Sequence, residues 1–385
     1  MDKKLNVCII PSWYANYGED LSGQNFDEAA DLQKYCNVAV FHPYDRTLRN
    51  EMNVSNEGGI LTYRSLLRDG ERIKNNIRLL KILRRIRTEF HPDIIYAHVG
   101  NEGGKIGAFF ARIYKIPIVL AEHSAVEALG LTEGKKKDFW LLKKIYESCN
   151  YVACVSDGLK NNLQKYFPEL NFHVIYNGIQ PLSICTHNME NYKIDGAVNI
   201  VIVAGFYSME IKGFQFLLPA MKQVIEHGHK AVLHICGEGR FREYYENMVK
   251  ELEIDKICIF YGQCSKEKVY AIVGQSDFFV SASLFESAGV AVQEAMLLGK
   301  PVLVTRSGGA NSLVTEDTAI VVDKGSTQAL ADGLEEMIQR YRDFDTEKIR
   351  EYAENKFEIS HISKQYMQVF YDLARKDSQQ ENDGE

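Results

Sequence analysis

The chain lacks any long apolar run. Nowhere in its 385 residues is there a stretch near the eighteen or so consecutive apolar residues that a membrane span needs. Its eight cysteines (Cys8, Cys36, Cys149, Cys154, Cys185, Cys236, Cys258 and Cys264) form no CxxC pair, and most fall in or beside apolar strand-like runs. That spacing argues for buried reduced thiols and against a disulfide framework or a zinc site. A GxGxxG after the first apolar run is also missing, which removes the fingerprint of a dinucleotide fold. The opening, MDKKLNVCIIPSW, is basic, but its apolar run ends at Pro11 and is too short for a secretory signal. From these absences we expect a cytoplasmic protein.

What is present is an ordinary globular balance, 45% hydrophobic and 25% charged, at a length that suggests two domains with separate cores. The net charge of −7 is uneven. Residues 1–183 carry 24 Lys/Arg against 21 Asp/Glu, and the remainder carries 21 against 31. The first half is thereby the better match for an anionic partner.

Short β-branched runs alternate with helical patterns. Strands are expected at 5–10, 37–41, 93–97, 116–121, 151–156 and 173–176, with helices at 25–35, 73–89, 103–115, 135–148 and 157–166. The rhythm pauses over 176–197, where Asn177-Gly178 and Pro181 signal turns, and we read a linker. It resumes with strands at 198–205, 231–237, 257–262, 277–283, 300–305 and 318–322, and helices at 213–227, 239–252, 266–275 and 288–298. This is the pattern of two doubly wound α/β domains, one over 1–183 and one over 184–360. A last helix over 361–375 has no strand after it, and 376–385 reads as a disordered tail.

Ligands of such sheets bind beyond the carboxyl ends of the strands, so the following loops matter most. Two histidines, His98 and His123, stand at strand ends; His123, followed by a small-residue turn, is the better candidate for a ligand contact. In VAGFYSMEIKGFQFLL (203–218) Lys212-Gly213 precedes a helix, where a point charge beside free helix amides suits a phosphate. CGEGR (236–240) repeats the arrangement of strand, GxG and helix. SLFESAGVAVQEAMLLGKPVLV (283–304) places Glu286 at a strand's ligand edge, Gly289 before a helix, and Glu294 within an otherwise apolar segment. We expect Glu294 to be buried and therefore to need hydrogen-bond donors, either ligand hydroxyls or a structural arginine.

Glu286-x7-Glu294 followed by GKPVLVT and a GG pair resembles the signature of family 4 retaining glycosyltransferases, which have the GT-B fold. The supporting pieces stand in family order: SWYANYGEDLSGQNFDEAADL, AEHS with His123, VIYNGI at 174–179, KG at 212–213 and GEG at 237–239. The resemblance implies two Rossmann-like domains facing across a cleft, the first on the acceptor side and the second binding a nucleotide sugar. It implies that Glu294 binds ribose hydroxyls and that Glu286 holds the donor sugar near the reacting centre. The amides of Ala288, Gly289 and Val290 would support sugar and diphosphate, and Lys212 would neutralise the leaving diphosphate. Gly23 would close over it from the first domain, with Gly205, Gly213 and Gly262 lining the donor. His123 would touch donor sugar or acceptor. No metal and no cofactor are implied. One departure stands out: the family commonly has an arginine where AGFYSMEIKG has none.

The reading is a transferase moving a sugar from a nucleotide donor, a UDP-sugar, to a hydroxyl of a polysaccharide or lipid-linked acceptor. Two alternatives remain open, a GT-B epimerase or hydrolase and a non-catalytic sugar-binding subunit. No nucleic-acid partner is expected. The stretch from Arg64 to Arg87 holds nine Lys/Arg against Asp69 and Glu71. There the apolar face of Ile73, Ile77, Leu80, Ile82, Leu83 and Ile86 is expected to pack on the sheet, and the excess of positive charge suggests peripheral contact with anionic lipid.

Overall fold

The computed structural model describes residues 4–14, 24–68, 70–124, 136–180 and 190–382, which form two compact units. The first unit is built on an eight-stranded sheet. In chain order its elements are β1 (Asn6–Ile10), α1 (Gln24–Leu32), β2 (Asn37–His42), β3 (Met52–Glu57), β4 (Ile60–Ser65), α2 (Arg72–Glu89), β5 (Ile94–His98), α3 (Lys105–Tyr114), β6 (Ile118–Glu122), α4 (Lys136–Ser148), β7 (Tyr151–Cys154), α5 (Asp157–Tyr166) and β8 (His173–Val174). Spatial order is β3-β4-β2-β1-β5-β6-β7-β8, all parallel except β3. The inner strands are apolar on both faces because helices cover both, so their sequences read as unbroken β-branched runs.

The second unit is a six-stranded parallel sheet. It comprises β9 (Val198–Val203), α6 (Phe214–Glu226), β10 (Ala231–Cys236), α7 (Arg242–Glu251), β11 (Cys258–Gly262), α8 (Lys266–Gln275), β12 (Phe278–Ser281), α9 (Val290–Leu297), β13 (Val302–Thr305), α10 (Gly309–Leu313), β14 (Ala319–Val322), α11 (Thr327–Arg340) and α12 (Thr346–Phe357). The order β11-β10-β9-β12-β13-β14 reverses direction at β9, so the loops after β9 and β12 meet at a switch point. Ile200, Ile202, Leu233, Ile235, Phe278, Val280 and Leu303 form the centre of its core.

The chain then returns to the first unit through α13 (Ile359–Asn382). Ile362, Tyr366 and Phe370 recur every four residues and join Val7, Ile9, Tyr96 and Ala121 in that unit's core. The helix continues to Asn382, which corrects the expected tail from 376; its polar Gln, Glu and Lys residues are adequate helix formers.

Two other expectations change. β3 and β4 form an antiparallel hairpin that the strand pattern did not show, closed at Gly58-Gly59 with both residues at positive φ, as a tight hairpin turn requires. The apolar residues of α2 divide: Ile82, Leu83 and Ile86 are buried, whereas Ile73, Ile77 and Leu80 are exposed. Only the C-terminal half of the helix lies against the sheet.

Candidate active site

The second unit gathers most of the expected residues at the carboxyl ends of β9 and β12. After β9, the chain passes Gly205 and runs to Lys212. Gly213 then starts α6 in the left-handed region, with φ +71°. A Cβ at Gly213 would lie 1.9 Å from the carbonyl oxygen of Ala282, just beyond β12. Only glycine lets these two loops approach so closely. The Leu284 amide donates to the Ile211 carbonyl (2.8 Å), fastening the loops together.

That approach brings Lys212 to Glu286, with Nζ 2.7 Å from Oε2 and both side chains partly exposed. Glu286 is held by its own backbone, its amide donating to Ser307 O (3.1 Å) and its carbonyl accepting from the Gly309 amide (2.6 Å). Thr305 Oγ1 donates to the Ser283 carbonyl (2.5 Å), and Ser283 Oγ lies 3.4 Å from the Glu286 carboxylate. A carboxylate and an ammonium group are therefore fixed at one sheet edge while remaining open to solvent.

Ala288, Gly289 and Val290 follow. Gly289 caps α9 at φ +77°, a conformation that turns the chain abruptly into the helix. The first-turn amides of Val290 and Ala291 find no acceptor among the described residues, so the positive end of α9 is available to an anion. Glu294 departs from expectation: it is half-buried and accepts a hydrogen bond from Tyr270 O–H (3.3 Å). The fully buried polar side chain on this helix is its neighbour Gln293, whose amide atoms have no partner among the described residues. The helix turns residues 292, 293 and 296 inward, so the carboxylate one step further round sits at the boundary.

Gly262 ends β11, and Arg242 Nη1 would lie 2.8 Å from a Cβ placed there. Arg242 is held by Glu238 and Glu246, both at 2.7 Å. Arg240 instead donates from Nε to the Tyr207 carbonyl (3.0 Å) in the β9 loop. That loop has no arginine of its own, but one reaches it from the β10 loop; the GEGR sequence is the only signal of this.

His123 belongs to the first unit, where it follows β6. Its Nε2 is sheltered without a partner among the described residues, and burial pushes its pKa down to about 4. The ring stacks on His98 at 5.4 Å between centroids. His98 is fully buried, 3.1 Å from Asn25 Oδ1, and serves the packing of the strand end. The residue that sequence reasoning left without a role is Glu122. Completely buried, it accepts from Tyr146 O–H (2.8 Å) and from the amides of Gly100 (2.8 Å), His123 (3.0 Å) and Ser124 (2.9 Å). Burial raises its pKa while these four donors oppose the rise. It fixes the backbone that carries His123. Gly23 lies outside the described residues. Among the described residues no group of three or more His, Cys, Asp or Glu could hold a metal ion.

Comparison with known proteins identifies the family. A Glycosyltransferase Family 4 model matches residues 30–181 and a Glycosyl transferases group 1 model matches 186–356. An uncharacterized glycosyltransferase of Methanocaldococcus jannaschii is 25% identical over 282 residues, 69% of this chain and 72% of that one. The alpha-monoglucosyldiacylglycerol synthase of Streptococcus pneumoniae is 24% identical over 60% of this chain, and the aligned part spans 56% of that relative. The solved structure of Anabaena HepE in complex with UDP and glucose shares the fold, with TM-score 0.73 at 17% identity over 95% of this chain and 99% of that one. With both halves matched in sequence and the whole fold matched in structure, the chain belongs to the GT-B glycosyltransferases, of the family 4 and group 1 kind.

Proposed function

We propose that the chain is a retaining glycosyltransferase that moves a hexosyl or N-acetylhexosaminyl group from a UDP-sugar to a hydroxyl of a polysaccharide or lipid-linked acceptor. The observation that carries this reading is the Lys212–Glu286 pair beside the open first turn of α9. A diphosphate arriving there competes for Lys212 and for the α9 amides. Glu286, released from its ion pair, is then free to accept hydrogen bonds from the donor sugar. As the glycosidic bond breaks, negative charge grows on the diphosphate, and fixed cationic and amide groups stabilise it without reorganising. Glu294, at the buried boundary of α9, accepts from ribose hydroxyls. His123 is assigned by its motif to donor sugar or acceptor, and its backbone is held by Glu122.

UDP with glucose in the HepE complex supports the choice of donor. The relative named alpha-monoglucosyldiacylglycerol synthase supports a lipid-linked acceptor. The test is to incubate the protein with a panel of nucleotide sugars and candidate acceptors, weigh the products and read their anomeric configuration by NMR. A glycosylated acceptor with the donor's configuration is expected. Free sugar or an epimer formed without acceptor, or an inverted linkage, would contradict the reading.

A further inference from the structure

We propose that the outer face of the α2–α3–α4 helix layer in the first unit docks on an anionic lipid surface. Topology places these helices together. The crossovers β4-α2-β5, β5-α3-β6 and β6-α4-β7 all move the same way along the sheet, whereas β1-α1-β2 moves the other way. Because such crossovers are right-handed, α2, α3 and α4 cover one face and α1 the other.

Each of the three helices turns apolar side chains away from the sheet. On α2, Ile73 is 77% exposed and is followed by Ile77 and Leu80 on the same stripe. Phe109 and Ile113, four apart, are exposed on α3, and Trp140 (59% exposed) and Leu141 on α4. One exposed leucine needs no explanation, but seven large apolar residues on adjacent helices do.

Charge identifies the partner. The three helices carry thirteen Lys/Arg and three Asp/Glu, in a chain whose net charge is −7. Lys81, Arg84, Arg87, Lys105 and Arg112 have no ion-pair partner among the described residues. Lys144 stands 5.8 Å over the Trp140 ring. Single apolar side chains interleaved with long basic ones match the headgroup region of a bilayer, where Trp and Leu enter the boundary and Lys and Arg meet phosphates. A protein groove would instead call for a contiguous apolar ridge.

This inference is independent of the donor site. The test is sedimentation of the full chain with vesicles of phosphatidylglycerol and phosphatidylcholine, and with vesicles of phosphatidylcholine alone. At low salt the anionic vesicles should bind at least about tenfold more strongly, and high salt should remove the difference. Two variants, Lys81→Glu with Arg84→Glu and Ile77→Ser with Trp140→Ser, should each fall to the neutral-vesicle level with an unchanged thermal unfolding midpoint. Equal binding of the parent protein to both vesicle types would overturn the proposal. So would either folded variant binding like the parent.

Discussion

At the scale of single residues, the two glutamates have different surroundings. Glu286 is ion-paired and held through its backbone, and Glu294 is half-buried beneath a tyrosine hydroxyl. Glu286→Gln is therefore expected to lower turnover mainly, and Glu294→Gln to weaken donor binding by about 1.5–3 kcal/mol, the worth of a charge-assisted hydrogen bond. Turnover measurements and donor titrations on the two variants separate these effects; loss of folding in both would make the glutamates structural. His123 yields a pH prediction. Burial lowers its folded pKa from 6.5 to about 4, so the folded protein holds a neutral imidazole and loses stability as pH falls from 6.5 towards 4. Above pH 6 its protonation changes little, and a plot of kcat/KM against pH should have no limb near 6.5 that His123→Asn removes. Such a limb would show that the imidazole titrates with its ordinary pKa. Glu286 and His123 were legible as residue types beyond strand ends, Lys212 as a charge before a helix and Glu294 as a carboxylate within an apolar segment. The burial of Gln293 in place of Glu294 was not, because an apolar helix sequence does not reveal which side meets the core. Glu122 was visible beside His123, but two of its four donors, Gly100 and Tyr146, come from segments distant in sequence.

Among the elements, parallel strands were the most legible, since burial on both faces leaves an unbroken apolar run such as NIVIV or IIYA. The β3–β4 hairpin escaped because β3, MNVSNE, is a half-exposed edge strand with little apolar alternation. Leu330, Leu334 and Met337 carry the spacing that marks α11, a signal within reach of the sequence. Helix α2 shows the limit of periodicity: six apolar residues share its pattern, yet only the half lying on the sheet is buried. The last helix carries a stability prediction. Phe370 is fully buried against Tyr96 and Tyr366, at 5.4 and 6.0 Å between ring centroids. Phe370→Ala should destabilise the first unit by about 3–5 kcal/mol. Urea denaturation followed by hydrogen exchange in β1 and β5 measures this, and a change below about 1 kcal/mol would mean that α13 contributes little to that core.

At the scale of the molecule, the family follows from sequence and fold together, and the proposed chemistry leans on groups that the second unit gathers, Lys212, Glu286 and the first turn of α9. If Lys212 and the α9 amides stabilise the leaving diphosphate as proposed, transfer should survive excess chelator. Activity lost on chelation and restored by a divalent ion would transfer that role from Lys212 to a metal. Lys212 and the α9 amides are proposed to form the diphosphate site. Calorimetric titration of UDP into the parent protein and into Lys212→Met, both in chelator, tests this most directly. Saturable one-site binding to the parent is expected, with at least about tenfold weaker binding to the folded variant, the loss of one charge-assisted contact. No UDP binding by the parent, or equal affinity in the two proteins, would contradict this assignment.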